Sequence, residues 1–190
     1  MKRIFLIHGW DGSPDNHWFP WLTKELEARG FAVVAPQLPD SLTPKIEAWV
    51  PVLADLVSKT DQDTFFIGHS MGCQTILRFL QTLPPEQIAG GVVLVAGFTG
   101  KLTGLTEEEK LVARPWEETP IDLDKVKDRA KHFAAVLSDN DPWVPLESNR
   151  NVFAGKLGAE VIVEHAKGHF ETGSGVTELP VILDLLKKWA

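Results

Sequence analysis

The sequence predicts an α/β fold, with a six-stranded, mostly parallel sheet covered by helices on both faces. Three observations lead there. Six short apolar runs recur along the chain, each of strand length and most of them rich in β-branched or aromatic residues. They alternate with stretches whose apolar residues return at helical spacing. The runs are apolar through their middles, as strands buried on both faces are, and each is followed by a stretch able to cross back over the sheet.

The elements follow in order. Arg3 to Ile7 is the first run and enters a Gly-bearing loop, His8-Gly9-Trp10-Asp11-Gly12-Ser13. Trp18 to Arg29 sets Trp18, Trp21, Leu22 and Leu26 among charges, an amphipathic helix stopped by Gly30. Phe31 to Ala35 is the second strand, closed by Pro36 and Pro39. The second helix spans roughly Pro44 to Ser58; Pro44 suits its first turn, whereas Pro51 is expected to kink or split it. Phe65 to Ile67 forms the third strand, and Ile76, Leu77, Phe79 and Leu80 mark the helix after it. Pro84-Pro85 breaks that helix, and Gly91 to Ala96 is the fourth strand. Lys101 to Asp128 carries Glu107, Glu108, Glu109, Glu117 and Glu118 among few apolar residues, which reads as a short surface insertion or small cap. Lys131 to Leu137 resumes strand, Leu146 to Leu157 helix and Glu160 to Glu164 strand; Glu178 to Trp189 closes as a helix. No repeat or linker divides the chain, so residues 1–190 are expected to form one domain.

Composition narrows the function. With 44% hydrophobic residues, 190 residues can bury a sizeable core. Nineteen Lys and Arg against 26 Asp and Glu give a net charge of −7, which argues against nucleic-acid and anionic-membrane partners. A single cysteine, Cys73, cannot make an internal disulfide and fits a reducing compartment. The apolar run at the N-terminus stops at His8-Gly9 without a cleavage site, and no stretch approaches the ~20 apolar residues of a membrane span. A soluble, cytoplasmic protein is expected.

The chemistry centres on Gly68-His69-Ser70-Met71-Gly72, placed between the third strand and its helix. A strand that turns straight into a helix leaves its middle residue in a strained conformation with the side chain pointing out of the sheet. Gly68 and Gly72 are required because a Cβ at either place would collide with neighbouring elements. The turn also sets the Met71 amide at a helix N-terminus, where an oxyanion is stabilised. A serine nucleophile needs a base, and the base an orienting acid. Asp141-Pro142 follows the fifth strand on a stiff loop, and Gly168-His169 follows the sixth on a flexible one. The order Ser70, Asp141, His169 is that of the α/β-hydrolase arrangement. The loop after the first strand offers the second oxyanion donor, the Trp10 amide.

Each assignment has a rival. Asp139 stands two residues before Asp141 and reads better as a loop-stabilising or solvated carboxylate. His165 sits at the strand end and is the weaker base. His17 and His132 read as structural or solvated, His8 as a hydrogen-bonding scaffold, and Cys73 as a small buried side chain. His69 packs beside the turn and, with Trp116 and Trp143, is taken to contact substrate. Seven tryptophans and no tyrosine are unusual; some are taken to line an apolar, acyl-sized pocket, and at least half to pack in the core. No metal-ligand spacing, phosphate loop or dinucleotide fingerprint is present, so no cofactor is expected.

These residues resemble the α/β-hydrolase superfamily, and within it the small retinoblastoma-binding serine hydrolase family and its bacterial relatives. The resemblance rests on Asn16-His17-Trp18-Phe19-Pro20-Trp21, Ala48-Trp49-Val50-Pro51, Gly68-His69-Ser70-Met71-Gly72 and Arg114-Pro115-Trp116. Asp141-Pro142-Trp143-Val144-Pro145 and Gly168-His169-Phe170 complete it. It implies a minimal α/β-hydrolase fold with little or no lid, and a Ser70, Asp141, His169 triad. It does not extend to retinoblastoma binding, because the chain has no Leu-x-Cys-x-Glu stretch. The expected activity is hydrolysis of a small carboxylic ester or related acyl compound through an acyl-enzyme on Ser70. The alternative is a protein- or ligand-binding module on the same fold with incidental turnover.

Overall fold

The computed structural model describes residues 1–189. All six runs form strands: β1 (Arg3–Ile7), β2 (Ala32–Val34), β3 (Thr64–His69), β4 (Gly91–Val95), β5 (Phe133–Ser138) and β6 (Glu160–Glu164). They make one sheet in the order β2-β1-β3-β4-β5-β6, and every pairing is parallel. The helices are α1 (Phe19–Glu27), α2 (Ile46–Leu56), α3 (Met71–Leu80), α4 (Glu107–Glu118), α5 (Leu123–Lys127), α6 (Leu146–Leu157) and α7 (Pro180–Trp189).

Strand side chains alternate between two cores. Ile4, Leu6, Phe65 and Ile67 pack against Trp18, Leu22 and Leu26 of the α1 side and Ile182 and Leu186 of α7. Phe5, Ile7 and Phe66 pack on the other face with Trp49 and Leu53 of α2, Ile76 and Leu77 of α3 and Phe153 of α6. The sheet is therefore sandwiched by helices, as its continuous apolar runs require. Among the described residues no helix is long and apolar enough to cross a membrane.

Two local expectations change. Pro51 does not split α2, which continues through it to Leu56. Trp49 and Leu53, four residues apart on one face, are both fully buried, and their packing outweighs the one backbone hydrogen bond that Pro51 cannot donate. Segment 101–128 carries its charges on the surface, yet Ala113, Trp116 and Val126 reach the core. It contributes α4 and α5 and is fastened to α3 by Arg78, whose guanidinium donates to the Trp116 and Thr119 carbonyls at 3.1 and 2.7 Å.

The order in which strands are added reverses between β1 and β3, since β2 lies on one side of β1 and β3 on the other. The crevice at the carboxyl ends of those two strands is where an open α/β sheet binds ligands. α3 leaves from there and all ten of its residues are buried. A Cβ on Gly72 would lie 2.2 Å from the Ile7 carbonyl oxygen and 2.6 Å from that of His8, both backbone atoms of the adjoining strand end. Gly72→Ala should therefore destabilise the fold by about 3 kcal/mol or more. Urea unfolding would measure it; an unchanged midpoint would contradict the packing described.

Candidate active site

Ser70 occupies the turn between β3 and α3 with φ 52° and ψ −119°, a backbone conformation suited to glycine. The surroundings hold it there. Its amide donates to the Val95 carbonyl at 2.9 Å, and its carbonyl accepts from the Cys73 amide at 3.0 Å. A Cβ on Gly68 would meet the Cys73 nitrogen at 2.7 Å, so β3 and α3 approach too closely for any larger residue. Cys73 itself is buried, donates its thiol to the Val95 carbonyl at 3.3 Å, and has its pKa pushed up by burial.

The loop after β5 presents Asp141, whose carboxylate is almost fully buried. One oxygen accepts the Trp143 and Val144 amides at 2.9 and 3.0 Å; the other faces His169 Nδ1 at 2.8 Å. That contact fixes the neutral tautomer with hydrogen on Nδ1, leaving Nε2 as the acceptor. Ser70 and His169 line the same cleft of about 400 Å³. No hydrogen bond closes between Ser70 Oγ and His169 Nε2, a contact that commonly tightens only around substrate. Ser70 is 8% exposed and its hydroxyl has no protein partner.

Two residues that line the cleft, Met71 and Trp10, have backbone amides without protein acceptors. Met71 is the first residue of α3, so its N–H has no intrahelical partner. The Trp10 N–H likewise donates to no carbonyl, while the neighbouring Asp11 and Gly12 amides are bonded to Ser41 and Gly9. His8 stiffens this loop as a scaffold: Nδ1 donates to the Gly9 carbonyl at 2.8 Å and Nε2 accepts the Leu38 amide at 2.9 Å.

The cleft walls are largely apolar. Trp10, Leu42, Met71, Leu102, Leu105 and Trp143 line them, and the carboxylates of Asp11, Glu109 and Glu171 stand among them. Trp143 lies edge-on to His169, ring centroids 4.9 Å apart. A larger hollow of about 680 Å³, beside Gly30, Phe31 and α7, holds no serine or histidine. Among the described residues no group of three His, Cys, Asp or Glu side chains could hold a metal ion.

Several sequence assignments are sharpened or changed. Trp116 does not reach the cleft. It is buried against Trp49, with ring centroids 5.6 Å apart, and donates its indole N–H to the Pro44 carbonyl at 2.9 Å. Its place in the core follows from α4 packing back towards α3. His69 does line the cleft but is 4% exposed, and its Nε2 donates to the His169 carbonyl at 2.7 Å. Asp139 pairs instead with exposed His165 at 2.5 Å and accepts the Ala166 amide at 2.8 Å; neither Asp139 nor His165 lines the cleft. His132 stacks on Trp189 at the far end of the sheet. His17, read from sequence as structural or solvated, is half-buried on the cleft wall, where Nδ1 accepts the Thr172 amide at 3.0 Å. The signal for it was its place in Asn16-His17-Trp18.

Three imidazoles here have depressed pKa values. Burial is the main cause at His69, reinforced by neighbouring His169, and it holds His69 well below the usual range. Burial also lowers His8 and, against the pull of the Glu171 carboxylate, His17. The unfolded chain takes up these protons near pH 6.5 and the folded chain only lower, so stability is full above that pH and falls below it. Each buried histidine adds a slope of up to about 1.4 kcal/mol per pH unit in that window. The urea midpoint should drop between pH 6.5 and 5; a flat profile would contradict neutral, buried His8 and His69.

A parallel sheet with a serine in a strained strand–helix turn, facing a histidine–carboxylate pair, defines an α/β hydrolase. The chain belongs to the serine hydrolase family, whose profile matches residues 4–188. The putative hydrolase YdeN of Bacillus subtilis is 34% identical over 188 residues, spanning 99% of this chain and 96% of its own length. The crystal structure of the ydeN product superposes with a TM-score of 0.91 at 32% identity, over 100% of this chain and 98% of that one. Serine hydrolase RBBP9 of Rattus norvegicus is 29% identical over 173 residues, 90% of this chain and 87% of its own. Est1E from Butyrivibrio proteoclasticus, at 15% identity and a TM-score of 0.74 over 100% and 89% of the two chains, shares the fold.

Proposed function

We propose that the protein hydrolyses small, uncharged carboxylic esters through an acyl-enzyme on Ser70. The observation that carries this reading is the shared cleft: an unpartnered, strained serine and a histidine oriented by a buried aspartate. In the mechanism, His169 Nε2 takes the Ser70 proton as Oγ attacks the ester carbonyl. The Met71 and Trp10 amides receive the developing oxyanion, each worth about 3 kcal/mol. Asp141 stabilises the imidazolium, which then returns the proton to the leaving alcohol. Water, activated by His169 in the same way, releases the acid and restores Ser70.

The walls indicate the substrate class. Six apolar side chains suit an acyl or aryl group, and a cleft of about 400 Å³ suits a small one. Among the described residues its lining includes the acidic side chains Asp11, Glu109 and Glu171 and no Lys or Arg, so an anionic acyl group or a polyphosphate-bearing thioester carrier would be repelled. Segment 101–128 acts as a fixed wall, supplying Leu102, Leu105 and Glu109, and needs no lid movement. The test is a set of p-nitrophenyl esters with neutral or carboxylate-ended acyl chains of matched length. Neutral short-chain esters should be favoured in kcat/KM by about tenfold at low salt, with the gap narrowing as salt is added. Background turnover of every ester would overturn the reading.

A further inference from the structure

The loop that carries His169 is under backbone strain in a regular pattern. Ala166, Gly168 and Phe170 all have left-handed φ values, 54°, 53° and 55°, so every second residue sits where L side chains are disfavoured. Such a segment keeps its shape only where its surroundings over-determine it. Here nearly every residue has an assigned partner. The four consecutive residues at the end of β5 and just after it, Ser138-Asp139-Asn140-Asp141, each turn a side chain onto this loop. Ser138 Oγ accepts the Lys167 amide at 3.1 Å, Asp139 the Ala166 amide at 2.8 Å, and Asn140 Oδ1 the Gly168 amide at 2.7 Å. Asp141 takes the His169 ring. Ser138 Oγ also donates to Asn140 Oδ1 at 2.8 Å, tying neighbouring members of the clasp together. From the opposite side, His69 Nε2 donates to the His169 carbonyl at 2.7 Å and Trp18 Nε1 to the Phe170 carbonyl at 3.1 Å.

We propose that Asn140 and His69 are positioning residues for the base, gripping the backbone on either side of His169 so that its ring presents Nε2 to Ser70. Asn140 holds the peptide N–H immediately before His169, and His69 holds the carbonyl immediately after the His169 side chain. With Asp141 on the ring, the base is fixed at three points. Asn140 suits the task because its carbonyl oxygen accepts two hydrogen bonds, from the Gly168 amide and from Ser138 Oγ. His69 suits it because burial keeps it uncharged, so a proton passed to His169 meets no cation across the 4.9 Å between the two ring centroids. His69 also precedes Ser70 directly, which couples the nucleophile's own turn to the backbone of the base. A shift of the base by about 1 Å can cost roughly 100-fold in rate, so these two contacts bear on turnover more than on substrate affinity. The inference rests on the reading of His169 as the base.

The test compares steady-state kinetics on a neutral p-nitrophenyl ester for Asn140→Ala, Asn140→Asp and His69→Phe, with His169→Ala alongside. Active sites are counted by fluorophosphonate titration, so that kcat refers to folded enzyme. Asn140→Ala and His69→Phe should lower kcat by about 10- to 100-fold and leave KM within about threefold. Asn140→Asp keeps the acceptor for the Gly168 amide and should recover most of the loss, which a role in bulk stability alone would not separate from the thermal midpoint. Asn140 is exposed, so its two variants decide the matter even should the buried His69→Phe fail to fold. A kcat within twofold of wild type for Asn140→Ala, or no recovery in Asn140→Asp, would overturn the proposal. Undiminished turnover in His169→Ala would instead overturn the assignment of the base, and the positioning roles with it.

Discussion

Ser70→Ala should lower kcat for a neutral ester by at least about 10⁴-fold while leaving a folded protein. The size of the loss follows from what the serine does: without Oγ there is no acyl-enzyme, and His169 and Asp141 have no proton to move. The residual rate would come from the oxyanion donors and the cleft alone. The same residue makes a second, opposite prediction. At φ 52° and ψ −119°, Ser70 pays a conformational penalty that glycine would not. Ser70→Gly should thus be as inactive as Ser70→Ala and more stable than it, by about 1 kcal/mol in urea unfolding. Equal stability of the two variants would mean that the turn is unstrained.

Asp141→Asn should lower kcat by about 10³- to 10⁴-fold, whereas Asp139→Asn should cost less than about threefold. Both carboxylates lie on one loop and both face a histidine, so composition alone does not separate them. Their partners do. Asp141 is buried, anchored through one oxygen by the Trp143 and Val144 amides, and opposite His169 Nδ1 through the other. An amide there keeps the anchoring carbonyl oxygen and turns its NH₂ towards the ring. His169 must then accept at Nδ1 and carry its hydrogen on Nε2, the tautomer that cannot take a proton from Ser70. Asp139 holds His165, which is 90% exposed and lies outside the cleft. Comparable losses for the two variants, or a larger one for Asp139→Asn, would exchange their roles.

Much of this architecture was legible in the sequence because the signals are local. A continuous apolar run such as Val92 to Val95 can hardly be other than a doubly covered strand. Gly68 and Gly72 state the tightness of the turn in residue type, and the order Ser70, Asp141, His169 places one candidate at each strand end. Trp116 was misjudged for a reason that is not local. Its segment is charge-rich, and only the docking of α4 through Arg78 takes that indole into the core. Pro51 likewise signals a break that the burial of Trp49 and Leu53 overrides. The clasp of Ser138, Asp139 and Asn140 on the base loop was not visible. Short polar residues after a strand read as solvated loop, and their partners lie nearly thirty residues away. His17 reads from sequence as structural or solvated, and its place on the cleft wall is not legible there, since its contacts with Thr172 and His69 depend on α1 and the base loop meeting at the cleft.

The central claim is that Ser70 is the nucleophile of a cleft serviced by His169. Its most direct measurement is mass spectrometry of the protein after reaction with a fluorophosphonate, with the adduct mapped to a peptide. One adduct per chain is expected, on the peptide containing Ser70, absent in Ser70→Ala and formed at least about 100-fold more slowly in His169→Ala. An adduct on any other residue, or labelling that survives in Ser70→Ala, would contradict it.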